Sequence, residues 1–262
     1  MDLIDIGVNL TSSQFRQDRE QVIERAIAAG VVHMVVTGTT LEHSINAQQL
    51  AQAHPQYLTS TAGIHPHHAD QFNQHAETTL LDLAETPQVV AMGECGLDFN
   101  RNYSPQKDQL RCYEAQLELA IATELPVFLH QRDAHDAFIK ILKKHRPNLS
   151  NAVVHCFTGN ADELDECLDL DLHIGITGWI CDERRGQTLQ QIVNRIPLTR
   201  LMIETDAPYL LPRNLNPMPK SKRNEPYYLP QVCHTVARCY HLKSEDIAKA
   251  TTLTAKAFFQ LN

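Results

Sequence analysis

The sequence predicts an α/β fold, a single (β/α)₈ barrel that covers residues 1–262. Eight short runs rich in apolar and β-branched residues recur along the chain. A segment with helical periodicity follows each run, and successive runs start about one βα unit apart. No linker or change in composition divides the chain, so we expect one domain.

The predicted strands are nearly continuous in apolar character, which is typical of a parallel sheet covered by helices. They are Leu3–Val8, Val31–Val36, Tyr57–Ala62, Gln88–Met92, Pro126–Leu129, Ala152–Val154, Leu172–Ile176 and Leu201–Ile203. A closed barrel suits eight strands better than an open doubly wound sheet. A dinucleotide-binding fold loses its best support because no Gly-x-Gly-x-x-Gly follows the first strand.

Helix boundaries are indicated by capping residues. Asp18–Ala29 has one apolar face and stops before Gly30, a natural residue after a helix end. Ser104 is predicted to cap a helix that has Pro105 at its first position. Ser244 is predicted to cap the last helix.

Composition limits the class of protein. The net charge of −8 argues against a protein that coats nucleic acid non-specifically. No apolar run approaches the ~18 residues of a membrane span, and Met1-Asp2-Leu3 does not start a secretory signal. Seven cysteines without a Cys-x-x-Cys pair indicate reduced, mostly buried thiols. We therefore expect a cytoplasmic protein with no membrane partner, and a monomer, because no apolar stripe predicts a dimer.

Residues just past the carboxyl ends of barrel strands line the active site of such folds. Three of the 14 histidines and two acids occupy these positions, namely His65, His130, His155, Glu94 and Asp206. A lone histidine there is usually structural, but five such residues from different strands favour a shared site for Mg²⁺, Mn²⁺ or Zn²⁺. The ion would activate water, so the pattern predicts hydrolysis. Glu204, in the same motif, is the more doubtful ligand and is expected to be a buried structural partner.

Seven segments, in order along the chain, resemble the TatD family of metal-dependent hydrolases, and within it the bacterial 3′–5′ exonucleases. They are Asp5–Phe15, Gly63–His67, Gly93–Phe99, His130–His135, His155–Gly159, Gly178–Gly186 and Glu204–Arg213. The His-Cys-Phe-Thr-Gly and Glu-Thr-Asp-Ala-Pro motifs are the most specific. The resemblance implies a TIM barrel of the metallo-dependent hydrolase type.

The resemblance also implies a divalent metal held by Glu94, His130 and His155, with Asp206 at the metal or its water. His65 would be an inner neighbour of the site. Asp206, Glu94 and His65 are accordingly the predicted catalytic residues, with Asp206 as general base or water-orienting ligand.

One departure concerns the first strand. Most of the wider family begins Asp-x-His-x-His, whereas this chain has Asp5-Ile6-Gly7-Val8-Asn9. We expect the first metal subsite to be weak, lost, or served by Asp5 and water. A loosely held Mg²⁺ becomes the expected cofactor, with Mn²⁺ and Zn²⁺ as alternatives.

The resemblance implies a nuclease that removes 5′-mononucleotides from the 3′ ends of single-stranded DNA or RNA, in DNA repair or turnover. Basic residues gather in the predicted strand-to-helix loops, at Arg101, Arg132, Arg184, Arg185, Arg213, Lys220, Lys222 and Arg223. Several lie in or near Pro208–Pro230, a long loop after the last strand. Arg132, Arg184, Arg213 and Arg223 are the predicted substrate-binding residues, because phosphates near the cut need cations.

Aromatic residues in the same loops offer stacking partners for a terminal base, although packing explains such residues equally well. The candidates are Tyr103, Phe157 and Trp179.

Two other functions stay open. A small-molecule amidohydrolase or deacylase uses the same barrel, but the missing first-strand histidines count against it. A barrel that binds metal or nucleic acid without turnover is the second. A role in protein export, which the family name suggests, has no support in the residues.

Overall fold

The structure, a computed structural model, describes residues 1–261. Its strands form one eight-stranded sheet in the order β1 to β8. They are β1 (Leu3–Val8), β2 (Val31–Val36), β3 (Leu58–Ala62), β4 (Val89–Asp98), β5 (Val127–Arg132), β6 (Ala152–Val154), β7 (His173–Ile176) and β8 (Leu201–Ile203). This sequential order is that of a (β/α)₈ barrel, and the predicted fold class is confirmed.

Helices follow the strands as the periodicity predicts. They are α1 (Arg19–Ala28), α2 (Leu41–Ala53), α3 (Gln74–Ala84), α4 (Gln106–Thr123), α5 (His135–His145), α6 (Ala161–Asp169), α7 (Gln187–Ile192), α8 (Leu229–Tyr240) and α9 (Ser244–Phe259). Between β8 and α8 the backbone of residues 204–225 is irregular, as the prolines in this stretch predict.

The sequence pattern places the ends of two strands too early. β4 continues to Asp98 and β5 to Arg132, beyond the predicted ends at Met92 and Leu129. The polar side chains of Glu94 and His130 break the apolar pattern, although the backbone pairing of β4 and β5 continues past them. Glu94 and His130 therefore lie inside strands rather than after them.

The predicted helix caps at Ser104 and Ser244 are wrong. The α4 helix has Pro105 at its N-cap, and the hydroxyl of Ser104 instead donates to the carbonyl of His67, at 3.0 Å. Ser244 lies inside the first turn of α9, where its hydroxyl contacts Nδ1 of His234 at 2.6 Å. Both serines make tertiary contacts that local sequence does not reveal.

The chain divides into two compact units. That residues 1–262 form a single domain stays a prediction. The first unit comprises Met1–Val35, Cys156–Leu164 and the chain from His173 onward. In it, β8 is followed by residues that bond to β1, since the amide of Asp206 donates to the Gly7 carbonyl at 2.9 Å. α8 and α9 bury apolar side chains such as Val236 and Ile247.

The second unit comprises Val36–His155 and Asp165–Leu172. Within it β3 pairs with β4, β4 with β5 and β5 with β6, all in parallel. Fully buried Phe128, Met92 and Tyr113 contribute to its core, and Tyr113 stacks on Phe138 with the ring centroids 5.3 Å apart. The parallel pairing brings the carboxyl ends of these strands to one edge of the sheet.

None of the helices within residues 1–261 combines the length and apolar character needed to cross a bilayer. All seven cysteines are free, and five of them are buried.

Candidate metal centre

Glu94 sits at an irregularity of β4. Gly93 pairs with Phe128 and Cys95 with Leu129, so Glu94 is an extra residue without a partner on β5. Such a bulge re-aims a side chain and is common beside active sites. Gly93 has a φ of +129°, and a Cβ there would collide with the Phe128 carbonyl, so only glycine fits. The bulge and its glycine thus place a carboxylate that is only 4% exposed.

Three imidazole rings converge on one oxygen of Glu94. Its Oε1 lies 2.7 Å from Nε2 of His155, 2.9 Å from Nδ1 of His130 and 3.4 Å from Nε2 of His65. His65 follows β3, His130 belongs to β5, and His155 follows β6. The structure therefore brings together four of the predicted site residues, from four successive strands of one unit.

Electrostatics favour an ionised Glu94 and a neutral His65, whereas the neighbouring carboxylates of Asp98 and Glu94 raise the pKa of His130 against the effect of its burial. Burial alone would raise the pKa of Glu94, but His155, His65 and the hydrogen bond with His130 bring it well below its usual value. Burial lowers the pKa of His65 well below that of a free imidazole. An ionised carboxylate beside a neutral imidazole matches the protonation state in which both bind metals.

The donor set fits a divalent cation. One ligand atom from each of His65, Glu94 and His130 lies within 4.8 Å of the others. Nε2 of His130 is buried, makes no hydrogen bond within residues 1–261 and faces Oδ2 of Asp98 at 3.6 Å, so Nδ1 is the nitrogen that lies on the Glu94 side of the ring. Imidazole and carboxylate together suit first-row divalent ions.

A second carboxylate stands behind the cluster. Oδ2 of Asp98 lies 2.7 Å from Nε2 of His67 and 3.6 Å from Nε2 of His130. Oδ1 accepts hydrogen bonds from the backbone amides of Asn100 and Arg101, at 3.0 and 2.9 Å. Burial opposes ionisation, but the adjacent imidazoles of His130 and His67 lower the pKa of Asp98 far below normal. Asp98 can therefore orient His130 as outer carboxylates orient metal-binding histidines.

Asp206 belongs to the first unit, where it is held by the residue that stands in place of a family histidine. Nδ2 of Asn9 donates to Oδ1 of Asp206 at 2.9 Å. Asp206 has a φ of +52°, an uncommon backbone conformation for a residue other than glycine. The amide of Asn9 thus fixes one carboxylate oxygen of Asp206.

Asp5 and Glu204, which neighbour Asn9 and Asp206 along the chain, are fully buried and accept hydrogen bonds from other residues. Oδ1 of Asp5 accepts the Thr205 amide at 2.9 Å, and Oδ2 accepts the Thr205 hydroxyl. Burial raises the pKa of Asp5 to about 8, against the effect of these hydrogen bonds. Glu204 is fully buried, and its Oε1 accepts the Cys156 amide at 2.6 Å. Glu204 has the buried environment that is expected of a structural residue.

Two of the predicted substrate-binding arginines lie in one cluster, centred on Asp182. Arg184 binds both oxygens of Asp182, at 3.1 and 3.0 Å, and Arg185 binds Oδ2 at 3.0 Å. Arg213 pairs with Glu183, its Nη2 lying 3.1 Å from Oε1. The three guanidinium groups outnumber the two carboxylates, and the arginine side chains are about half exposed. A net positive surface results.

Arg223 differs from these arginines. Its guanidinium lies 2.7 Å from Asp18 and 2.6 Å from Glu225, and its side chain is largely buried. Arg25 joins the same two acids, so two cations balance two carboxylates. These contacts tie residues 223–225 to the start of α1. They give Arg223 a structural role, which the loop position alone did not predict. Arg132 ends β5, half-buried, and its carbonyl accepts the Phe99 amide at 2.9 Å.

Sequence reasoning assigned no role to Asp98, His67 or Asn9. The sequence nevertheless contained a signal for each of them. Asp98 and His67 lie inside segments that resemble the family, and Asn9 stands where most of the wider family has the second histidine of Asp-x-His-x-His. Strand-end position alone could not reveal them, since Asp98 acts through His130 and His67 through Asp98.

Comparison with known proteins gives a consistent result. A family model described as TatD related DNase matches residues 4–260. A relative from Erwinia tasmaniensis, named 3′–5′ ssDNA/RNA exonuclease TatD, is 53% identical over 259 residues, covering 99% of this chain and 100% of the relative. A relative of the same name from Pantoea vagans is 51% identical, with 99% and 100% covered.

Solved structures share the fold over the whole chain. A TatD homologue from Escherichia coli K12 superposes with a TM-score of 0.90 at 27% identity, covering 99% of this chain and 98% of that one. A TatD family hydrolase from Entamoeba histolytica superposes with a TM-score of 0.88 at 24% identity, covering 100% and 99%. Fold, site and full-length family match agree, and the chain belongs to the TatD-related DNase family.

Proposed function

We propose that this protein is a metal-dependent 3′–5′ exonuclease that hydrolyses single-stranded DNA or RNA and releases 5′-mononucleotides. The observation that carries the proposal is the convergence of three imidazoles on the Glu94 carboxylate, within 3.4 Å. Full-length relatives that are 51–53% identical bear the matching name. The proposal concerns catalysis as well as binding, because a buried ionised carboxylate is costly to keep for packing alone.

Glu94, His130 and His155 are the proposed metal ligands, with His65 beside them and Asp206 as a further ligand or base. A divalent ion bound there would supply Lewis-acid polarisation of a phosphate oxygen and a more acidic water. Glu94 brings the negative charge that holds the ion, and the histidines fix its position. Asp206, whose Oδ1 accepts a hydrogen bond from Asn9, is the proposed proton acceptor.

Mg²⁺ is the proposed ion. Mn²⁺ and Zn²⁺ must be tested beside it, because the proposed ligands include imidazole nitrogens. Mg²⁺ prefers oxygen ligands and retains several waters, whereas imidazole suits Zn²⁺ and other transition metals. Activity measured with each ion, at matched free concentrations after chelation, ranks them directly.

The phosphates of the strand are proposed to contact the arginines, with Arg184 and Arg213 the main candidates. Arg132 remains a candidate from its place at the end of β5. Arg223 is left out, since two carboxylates already neutralise it. A cytoplasmic location, a monomeric state and a role in DNA repair or turnover complete the proposal.

The test uses single-stranded oligonucleotides labelled at the 5′ end, and separately at the 3′ end, with each metal. The expected result is stepwise shortening of the 5′-labelled strand and early release of a 3′-labelled nucleotide that carries a 5′-phosphate. Glu94→Gln should remove this activity, and Glu77→Gln, an exposed change on α3, should keep it. Unaltered activity of the Glu94 variant, or cleavage of amide and ester substrates in place of oligonucleotides, would overturn the proposal.

A further inference from the structure

A row of aromatic rings leads from the metal centre to the surface of its unit. The ring centroids of His130 and His65 are 4.4 Å apart, and those of His65 and His67 are 4.2 Å apart. The next ring is Tyr103, with its centroid 4.7 Å from that of His67 and the two planes inclined by 72°. His65 is buried, while Tyr103 is 66% exposed.

The loop that carries Tyr103 is held in place on both sides. Asp98, at its start, accepts the backbone amides of Asn100 and Arg101. Ser104, at its end, is fully buried and donates to the His67 carbonyl at 3.0 Å. Both anchors belong to the structure around the metal centre. The position of the Tyr103 ring is therefore coupled to the position of the proposed metal ligands.

Arg101 adds a positive charge at the same place. Its Nη1 donates to the hydroxyl of Tyr103 at 3.3 Å, and its side chain is exposed. A guanidinium at the rim of an exposed phenol ring gives a surface that suits both an aromatic base and a neighbouring phosphate.

The other two aromatic candidates are less suitable. Phe157 is only 4% exposed, so its ring is packed and cannot receive a base. Trp179 has one face covered by the guanidinium of Arg185, which lies 4.1 Å from the ring centroid. Among these three rings, Tyr103 alone combines high exposure with contact to a histidine of the centre.

We propose that Tyr103, backed by His67 and assisted by Arg101, is a stacking platform for an unpaired base that flanks the scissile phosphate. This inference rests on the proposed exonuclease function and adds the residue that receives the base. The ring centroid of Tyr103 is 4.7 Å from that of His67, which is 6.4 Å from that of His130, a span that one nucleotide covers when its phosphate is at the centre. Stacking on a phenol ring is tolerant of base identity. The platform therefore selects single-stranded over paired ends without selecting a sequence, because a base within a duplex is already stacked on its neighbours.

The test is a binding cycle between the tyrosine and the base. The probes are thymidine hexanucleotides with phosphorothioate linkages at the 3′ end, bound in Ca²⁺ to slow hydrolysis, with the terminal or the penultimate base either present or abasic. Affinities are measured by fluorescence anisotropy for the native protein and for Tyr103→Ala, Tyr103→Leu and Tyr103→Phe. Leu253→Ala, which removes an apolar side chain that is 58% exposed on α9, is the matched control.

For the intact probe, Tyr103→Ala should weaken binding roughly 5- to 150-fold, the range that base–aromatic stacking gives. For the native protein, removal of one of the two bases should weaken binding by a similar factor. For Tyr103→Ala, removal of that base should reduce the affinity little further. Tyr103→Phe should retain most of the affinity because it keeps the ring, and Tyr103→Leu should not. If, at both base positions, the loss of binding free energy from Tyr103→Ala and the loss from base removal were additive, the platform would be overturned.

Failure of the two proposals is distinguishable. A native protein that shortens oligonucleotides but shows no coupling between Tyr103 and either base contradicts the platform alone. A native protein that shortens no oligonucleotide with any metal contradicts the proposed function. Unfolding curves for each variant confirm that an exposed side chain was changed without loss of the fold.

Discussion

Oε1 of Glu94 lies 2.7 Å from Nε2 of His155, with both side chains buried. Glu94 comes from a bulge in β4 and His155 from the residue after β6, 61 positions later. The same oxygen also contacts His130 and His65. The centre therefore depends on this one carboxylate more than on any single histidine.

Glu94→Gln should abolish metal binding while preserving side-chain volume. An amide cannot supply the negative charge that offsets a buried cation, so we expect metal affinity to fall by at least roughly 100-fold, the upper range for loss of a supporting carboxylate. Isothermal titration with Mn²⁺ measures this without reference to activity. Glu77→Gln is the control, and equal affinities for the two variants would contradict the assignment of Glu94.

Asp98→Asn tests the role of the outer carboxylate. Asp98 lies within 3.6 Å of His130 and 2.7 Å of His67, so its loss should let both rings reorient. Metal affinity should fall roughly 10- to 100-fold, as for other outer carboxylates of metal-binding histidines. Asp133→Asn changes an exposed aspartate that pairs with Asn100 and should leave the affinity unchanged. An Asp98 variant with native affinity would reduce Asp98 to a loop anchor.

Asn9→Ala tests whether the amide positions Asp206. The change removes the donor 2.9 Å from Oδ1 and leaves the backbone bond of Asn9 to the Ala207 carbonyl in place. We expect kcat to fall on the order of 10-fold, as for a modest loss of positioning, with KM nearly constant. Asn9→Ser, which keeps a hydrogen-bond donor, should recover part of the rate. A change in KM alone would show that Asn9 acts on substrate binding instead.

Asp18 should stabilise the fold in a pH-dependent way. The hydrogen bond from Arg223 is the main cause that lowers the pKa of Asp18 from 3.8 to about 2. Because the pKa is lower in the folded state, the stabilisation is complete above pH 3.8 and is lost as the pH falls towards 2. Asp18→Asn should cost about 0.2–1 kcal/mol of unfolding free energy at pH 7, the range for exposed and partly exposed ion pairs.

Urea unfolding at pH 7 and near pH 2 checks that prediction. The difference between the native protein and Asp18→Asn should shrink at the lower pH, and should also shrink at high salt. A difference that is constant across this pH range would show that Asp18 acts through packing rather than charge.

The local sequence pattern was sufficient to predict the strands and the histidines at or near their carboxyl ends. Apolar β-branched runs set the position of every strand, and histidines at the ends of β3, β5 and β6 were visible because they interrupt those runs. The bulge at Glu94 was not visible, since it depends on pairing with β5. The same holds for Arg223, whose partner Asp18 lies 205 positions away. Local sequence predicts which residues lie at the carboxyl edge of the sheet. Contacts between distant parts of the chain decide which partners those residues have.

Anomalous diffraction from crystals soaked in Mn²⁺ shows whether Glu94, His130 and His155 hold an ion. We expect one strong peak per chain at about 2.0–2.2 Å from a Glu94 oxygen and from nitrogens of His130 and His155. The peak should disappear in Glu94→Gln crystals grown the same way. A peak at other residues, or one that survives the substitution, would contradict the assignment of this centre.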